Sequence, residues 1–417
     1  MFPGGVTRAT ITFDAHPTYM AAGSGARVLD VDGNEYIDFA NNFTTLIHGH
    51  AFPPVVAAVQ EQLTSGSCFA NPTETEIELA ELICARVPGI EAIRFVTSGT
   101  EAVMFAIKAA RTFTGRQKIA KLEGTYHGAY DWAEVSETVP PDRRGGPVRP
   151  VPNYRGTPNA VLDDVVVVPF NDVKRAAEIL DRHGDSLAAM LIDVMPSRPG
   201  LIPLSQDFVA LLNDFSASTG ALIISDEVLN FRAALHGAAA AFGLNAKLFS
   251  LGKIIGGGFA VGAVAGAREV MDVFSTREER LLPQGGTFAA NPVTMVAGRV
   301  CLQHLNTPDY ARLADLGSRA RQGIRAVRER TGADISVTGQ GSLFRIHPKS
   351  DPPRTYAEFY QTPEQSSALK NMLSGLTHRG ILLSNTGLAA LSTPMGPAEI
   401  DAFLLSLEET LKERVAA

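Results

Sequence analysis

Cysteine is scarce in this sequence: Cys68, Cys84 and Cys301 are widely spaced and odd in number. Such a set suggests neither a disulfide framework nor a cysteine metal cluster, and a reducing cytoplasm is the expected compartment. Long apolar runs are also missing. No segment approaches the roughly 18 uninterrupted apolar residues of a membrane span. The opening MFPGGVTRATITF has no basic stretch ahead of an apolar one, so neither a secretory leader nor a membrane partner is expected. Blocks of like charge are absent too. The 37 Lys and Arg and 44 Asp and Glu are interspersed, leaving a formal charge of -7 and no arm for nucleic acid. What is present, 45% hydrophobic and 19% charged residues over a length of 417, is the ordinary balance of a folded body with two or three structural units.

From about Ile93 to Gly266, short Val- and Ile-rich runs alternate with amphipathic stretches, which predicts an α/β domain. Strands are expected at Ile93–Thr97, Lys118–Leu122, Val165–Phe170, Ala188–Val194, Ala221–Ser225, Leu248–Leu251 and Val261–Ala265. Several are apolar on both faces, as a buried, mainly parallel seven-stranded sheet requires. Helices should cover it: Val103, Ala106, Ile107 and Ala110 follow i, i+3, i+4, i+7 spacing within Glu101–Thr112, and Val173–Arg182 and Asp207–Phe215 are also helical in period. Pro140–Pro158, carrying Arg143, Arg144, Arg149 and Arg155, reads as a long mobile loop, as much a candidate lid as an inert insertion. Beyond Asn291 the pattern becomes helices at Val293–Leu305 and Tyr310–Arg330, apolar runs near Ser342–Ile346 and Ile381–Leu383, and a last helix from Pro397, a smaller α+β domain. The Val28–Phe39 segment, with Asp32-Gly33 at its middle, reads as a hairpin that joins this smaller domain. The expected division is thus 1–45 with the small domain, 46–290 as the large domain and 291–417 as the small domain.

Four groups along the chain suggest chemistry. In FSLGKIIGGGFAVGA, Lys253 follows an apolar strand and precedes Gly256, Gly257 and Gly258. Partial desolvation at a strand end lowers a lysine pKa and frees the amine to form an imine, although a surface lysine at a turn fits this segment alone as well. In ALIISDEV, Asp226 ends a very apolar strand, where an ionised carboxylate needs a cation: a protonated pyridine nitrogen or an ordinary basic side chain. In RFVTSGTEAVMFAIKAA, a strand, a small-residue turn and a helix start suit a phosphate, with the hydroxyls of Ser98 and Thr100 as added donors or as plain N-caps. In LEGTYHGAYDW, Tyr126 and His127 follow a strand, where an aromatic ring covers a planar cofactor or merely packs. No second ligand lies at helical spacing from His127, so a metal is set aside.

All four groups are expected at carboxyl ends of strands, where open α/β sheets bind ligands. Together with DVDGNEYIDF, TSGTEA, EGTYHG, SDEV, LGKIIGGG and GGTFAANPVTM, they make the sequence resemble, over essentially its whole length, the class III (ω-aminotransferase-like) family of fold-type I pyridoxal 5′-phosphate enzymes. That resemblance implies Lys253 as the residue that holds the cofactor as a Schiff base and shuttles protons, and Asp226 as partner of the pyridine nitrogen. It implies Val228 behind the ring, Tyr126 and His127 beside it, and Ser98, Gly99 and Thr100 at the phosphate. It also implies a homodimer with shared sites, Thr287 of GGTF reaching the phosphate of the neighbouring subunit.

Within the family, PGGVTR, NPTETEIELAELI and EGTYHGAYD resemble glutamate-1-semialdehyde 2,1-aminomutase. Other segments depart from it. DEVLNFR is one residue shorter than the aminomutase run, and SNTGLAALS places Gly387 where the aminomutase has an acidic residue; both are similar to the β-amino-acid (β-phenylalanine-type) aminotransferases. The arginine of that second group is replaced by Thr386, and MPSRPG stands where a GNMG-like stretch is expected. The expected activity is transfer of an amino group from a β- or ω-amino acid to a 2-oxo acid in a ping-pong cycle, with the aminomutase as the alternative and a non-catalytic binding protein a distant third. The substrate carboxylate needs a cation, and Arg8 of PGGVTR is the first candidate, with Arg232 a further one that equally suits a structural ion pair. Phe43 and Thr386 are the remaining candidate substrate contacts. Relatives carry a helical segment ahead of PGG, so the short start reads as either natural or truncated.

Overall fold

The computed structural model describes residues 2–8, 11, 17–143, 146–275 and 282–415. Arg144 of the Pro140–Pro158 loop lies outside the described residues. The chain forms two compact units: Pro54–Thr307 with Pro353–Tyr360, and Met1–Pro53 with Pro308–Pro352 and Gln361–Ala417.

In the larger unit, a seven-stranded sheet runs in the order Ala92–Val96, Gly262–Gly266, Leu248–Gly252, Leu222–Asp226, Leu187–Ile192, Lys118–Leu122, Val165–Val168. All seven expected strands form, with ends shifted by at most two residues. Only Gly262–Gly266 runs antiparallel to its neighbours, so the other six point their carboxyl ends at one edge. Every residue of Val165–Val168, Leu187–Ile192, Leu222–Asp226 and Leu248–Gly252 is buried, which is why these strands read as continuous apolar runs.

The Gly99–Thr114 helix covers one face of the sheet. It starts on Ser98, whose side chain accepts from the Glu101 N–H, and stops at Gly115 in the left-handed region at φ 70°. It buries Ala102, Val103, Phe105, Ala106, Ile107, Ala109 and Ala110. Each fully buried Val, Ile or Phe contributes roughly 1.5–3 kcal/mol.

The helix Pro292–Gln303 opens on Asn291, whose Oδ1 accepts the Thr294 N–H at 2.9 Å. It lies against the 3₁₀ turn Lys253–Gly256, so close that a Cβ on Gly298 would sit 1.9 Å from the Ile255 carbonyl oxygen. This backbone approach holds the helix to the larger unit, and the chain divides at Thr307/Pro308, further on than the expected 290/291.

In the smaller unit, Arg27–Asp30 and Glu35–Asp38 form the expected hairpin, and Glu35–Asp38 pairs in parallel with Ile381–Leu382. A three-stranded antiparallel sheet, Ser336–Thr338, Leu343–His347 and Leu388–Ala390, stands beside it in this unit. Its core includes Phe39 and Phe344 against Phe403, with ring centroids 5.2 and 5.5 Å away. No helix among the described residues is long and apolar enough to cross a membrane.

The Pro140–Pro158 loop is hydrogen-bonded to the rest of the larger unit in its second half. The Ser136 N–H donates to the Val151 carbonyl at 2.8 Å, the Val151 N–H donates to Ser136 Oγ at 2.9 Å, and Tyr154 Oη donates to Asp131 at 2.9 Å. These bonds tie its second half to the segment that follows Tyr126.

Lys121 is the anomaly of the sheet. It is 0% exposed, and its ammonium donates to the carbonyls of Thr125 at 3.0 Å and Val135 at 2.7 Å. Burial pushes its pKa down to about 7, against the opposing charges of Glu137 and Glu134. The unfolded chain therefore holds the proton more tightly, and stability rises with pH from about 7 toward the ordinary lysine value of 10.5. We expect the stability of the wild type relative to Lys121→Met to increase by up to about 1.4 kcal/mol per pH unit over that window. Urea denaturation at stepped pH measures it, and a flat difference contradicts the buried amine.

Candidate functional site

The carboxyl edge of the large sheet collects the residues that the sequence singled out. Asp226, last residue of its strand, is 5% exposed. Its Oδ1 accepts the Val228 N–H at 3.0 Å and the Ser250 hydroxyl at 3.0 Å, and its Oδ2 accepts from His127 Nδ1 at 2.6 Å. Burial acts to raise its pKa, but the hydrogen bond from His127, the Val228 N–H and the Lys253 ammonium outweigh it and hold the carboxyl below the usual range. Asp226 is thus an ion kept charged inside the protein. Among the described residues its Oδ2 has one partner, and it retains acceptor capacity for another donor.

His127 is 2% exposed, and burial lowers its pKa despite the carboxylate beside it. Its Nε2 is buried with no hydrogen-bond partner among the described residues, which fits a neutral ring whose proton sits on Nδ1.

Lys253 follows the strand Leu248–Gly252 directly, at φ 49°, in a conformation unusual for a residue with a side chain. It is half-buried, and desolvation lowers its amine pKa against the charges of Asp226 and Asp193. Asp193, just past the strand Leu187–Ile192, is 5% exposed and accepts from the Met195 N–H at 2.9 Å and from Asn230 Nδ2. Burial and the nearby Asp226 charge push its pKa well above the usual carboxylate value. Asp193 escaped the sequence reading although it shows the signal used for Asp226, an acid ending an apolar strand.

The turn before the Gly99–Thr114 helix lies against the same edge. A Cβ on Gly99 would sit 2.7 Å from Val228 Cγ1, so only glycine lets the helix start pack on Val228. The hydroxyls at this turn are already engaged. Ser98 Oγ accepts the Glu101 N–H at 3.2 Å, and Thr100 Oγ1 accepts the Ala129 N–H at 3.2 Å. The Glu101 carboxylate is drawn back onto the Thr97 N–H at 2.7 Å.

Tyr126 is 44% exposed, with the Arg198 guanidinium 5.3 Å from its ring centroid. Arg198 also pairs with Glu137 at 3.0 Å, and burial raises the Glu137 pKa against the Arg198 and Lys121 charges. Sequence reading missed this support, whose only signal was charge inside the apolar stretch KIAKL and in MPSRPG. Thr287 stands apart on an exposed turn beside Phe288, which is 60% exposed. Arg232 is 1% exposed, buried inside the larger unit.

The other candidates belong to the smaller unit. Asn41, Asn42, Phe43 and Thr44 all adopt positive φ, at 47, 46, 55 and 73°, a turn of left-handed helix. Such a turn costs roughly 1–2 kcal/mol per residue. It is held by Asp38 Oδ1, which accepts the N–H groups of Ala40 at 2.8 Å and Asn41 at 3.0 Å, and by Asn41 Nδ2, which donates to the Ala390 carbonyl at 2.7 Å. Asn41 and Thr44 point inward, whereas Asn42 is exposed and Phe43 half-buried. Arg8 docks on this outer side: its Nη1 donates to Asn42 Oδ1 at 3.0 Å, and its guanidinium carbon lies 6.0 Å from the Phe43 ring centroid. Thr386 is half-buried, its hydroxyl 2.9 Å from that of Ser384.

Residues 12–396 match the family model described as aminotransferase class-III. A glutamate-1-semialdehyde 2,1-aminomutase from Methanothermobacter thermautotrophicus is 37% identical over 99% of this chain and 96% of its own length. Among solved structures, an omega-transaminase from Sphaerobacter thermophilus superposes with a TM-score of 0.96 at 45% identity, over 99% of this chain and 94% of that one. A beta-phenylalanine aminotransferase from Variovorax paradoxus does so with a TM-score of 0.90 at 33% identity, over 100% of this chain and 92% of that one. The chain belongs to the class III aminotransferases, fold-type I enzymes that depend on pyridoxal 5′-phosphate.

Proposed function

We propose that this enzyme transfers the amino group of a β- or ω-amino acid to a 2-oxo acid, as a cytoplasmic homodimer, with Lys253 as its catalytic residue. The observation that carries the reading is the likeness to the omega-transaminase, at 45% identity and a TM-score of 0.96. The absence of an acidic residue at Thr386-Gly387 supports it over an aminomutase.

The residues present fit the cofactor. An ionised Asp226 with acceptor capacity left on Oδ2 suits a protonated pyridine nitrogen, and the buried His127 locks its orientation. Gly99 leaves a surface that a Cβ would disturb, and the first N–H groups of the 16-residue helix suit a phosphate, with Ser98 and Thr100 as the shoulders of that turn.

Bound pyridoxal phosphate supplies an electron sink that acidifies the substrate C–H bond next to nitrogen. Lys253 then acts as the base and acid that moves this proton at its Nζ, aided by the desolvation that lowers its pKa. Asp226 would hold the opposing charge that sustains the sink, Val228, whose N–H bonds Asp226, would pack behind the ring, and Tyr126, steadied by Arg198, would cover it. Arg8 is the proposed partner of the substrate carboxylate, with Phe43 and Thr386 as further contacts. Thr287, exposed on its own chain, is proposed to reach the phosphate of the second subunit.

The curated aminomutase relative supports a second reading, isomerisation of glutamate-1-semialdehyde without an acceptor. The two reactions separate cleanly. With a β- or ω-amino acid alone, the holoenzyme should lose its cofactor's visible band and release one keto product per site, and pyruvate or 2-oxoglutarate should restore the band. Formation of 5-aminolevulinate with no such half-reaction from any donor overturns the transferase reading.

Asp226→Asn should lower kcat by roughly 10²-fold or more while the circular dichroism spectrum stays native, since it removes a preorganised charge. Thr287→Ala should weaken cofactor retention about tenfold, measured by dialysis of a dimer verified by analytical ultracentrifugation. Unchanged retention removes Thr287 from the site.

A further inference from the structure

We propose that Asn42, on the left-handed turn, is the positioning residue that aims Arg8 at the carboxylate of the amino donor; this rests on Arg8 being the partner of that carboxylate. Arg8 is exposed, so its long side chain samples many rotamers that a bound carboxylate would have to freeze. Among the described residues, two contacts restrain it. Asn42 Oδ1 accepts from Nη1 at 3.0 Å, and the Phe43 ring lies 6.0 Å from the guanidinium carbon. One contact fixes an edge and the other the position of the guanidinium, leaving the remaining N–H donors for a bidentate ligand.

Both contacts come from adjacent residues on a left-handed stretch of backbone, Asn42 and Phe43 at φ 46 and 55°, while Asn41 and Thr44 on either side are buried. A turn that merely reversed the chain would be met by glycine without strain, whereas here a side chain is kept at a position that disfavours one. Asparagine reconciles the two demands. It tolerates the left-handed region better than most residues, and its amide oxygen is a neutral acceptor that holds the guanidinium without cancelling its charge.

The test compares holoenzymes of wild type, Asn42→Gly, Asn42→Asp and Arg8→Gln. Three quantities are read: KM and kcat for a β-amino acid, the dissociation constant of the unreactive carboxylate 3-phenylpropanoate by calorimetry, and Tm. Glycine accepts φ 46° without strain, so Asn42→Gly should keep its Tm. It should raise both KM and the dissociation constant about tenfold, with kcat within about twofold. Asn42→Asp should raise them as well, because its charge pairs with the guanidinium in competition with the ligand. Arg8→Gln should raise them at least as far. If Arg8→Gln does so and Asn42→Gly does not, Arg8 keeps its role and the inference about Asn42 is wrong. If Arg8→Gln changes neither constant, both fall. A fall in Tm and kcat together in Asn42→Gly would mark a structural turn and overturn the proposal.

Discussion

The larger unit is organised around one unfavourable act made favourable, the burial of an ionised carboxylate at the end of an apolar strand. Asp226 stays charged because His127, Val228, Ser250 and Lys253 all face it with hydrogen or positive charge. Val228 is local, but His127 and the run from Ser250 to Lys253 come from other segments, so the sheet, the turn after Leu122 and the turn after Gly252 must all be in register before the charge is tolerated. In the proposed site, a cofactor with a cationic ring nitrogen would complete this arrangement.

Around that centre, close backbone approach does the positioning. Gly298 lets the Pro292–Gln303 helix lie against the Ile255 carbonyl, and this contact backs the turn that carries Lys253. Gly99 does the same for the helix start, resting on Val228. Neither glycine has a side chain to offer a substrate, yet a methyl group at either would displace a neighbour on which the cofactor site depends.

A second buried charge system supports the segment that bears Tyr126, the proposed ring cover. Lys121 bonds to the carbonyls of Thr125 and Val135 and so clamps both sides of the segment bearing Tyr126 and His127, while Glu137 neutralises Lys121 and pairs with Arg198 above the tyrosine. Buried pairs of this kind are weak sources of net stability, but they specify one arrangement of a loop. The long loop that sequence alone suggested was mobile is anchored to this segment through Ser136 and Val151.

The sequence by itself determined the strands, because both-face burial demands unbroken Val and Ile runs, and it singled out the proposed cofactor groups, because each sits where an apolar run stops at a polar residue. Lys253 and Asp226 stand out in the sequence for that reason. Asp193 carried the same local mark and was passed over, since no one-dimensional pattern says that the strand ending at Ile192 lies next to the one ending at Asp226. The Glu137–Arg198 pair joins residues far apart in the chain, and the left-handed run at Asn41–Thr44 contains no glycine to announce it. Such features were decided only by tertiary structure, because they follow from which groups burial brings together and from strain that distant hydrogen bonds, such as Asn41 to Ala390, sustain.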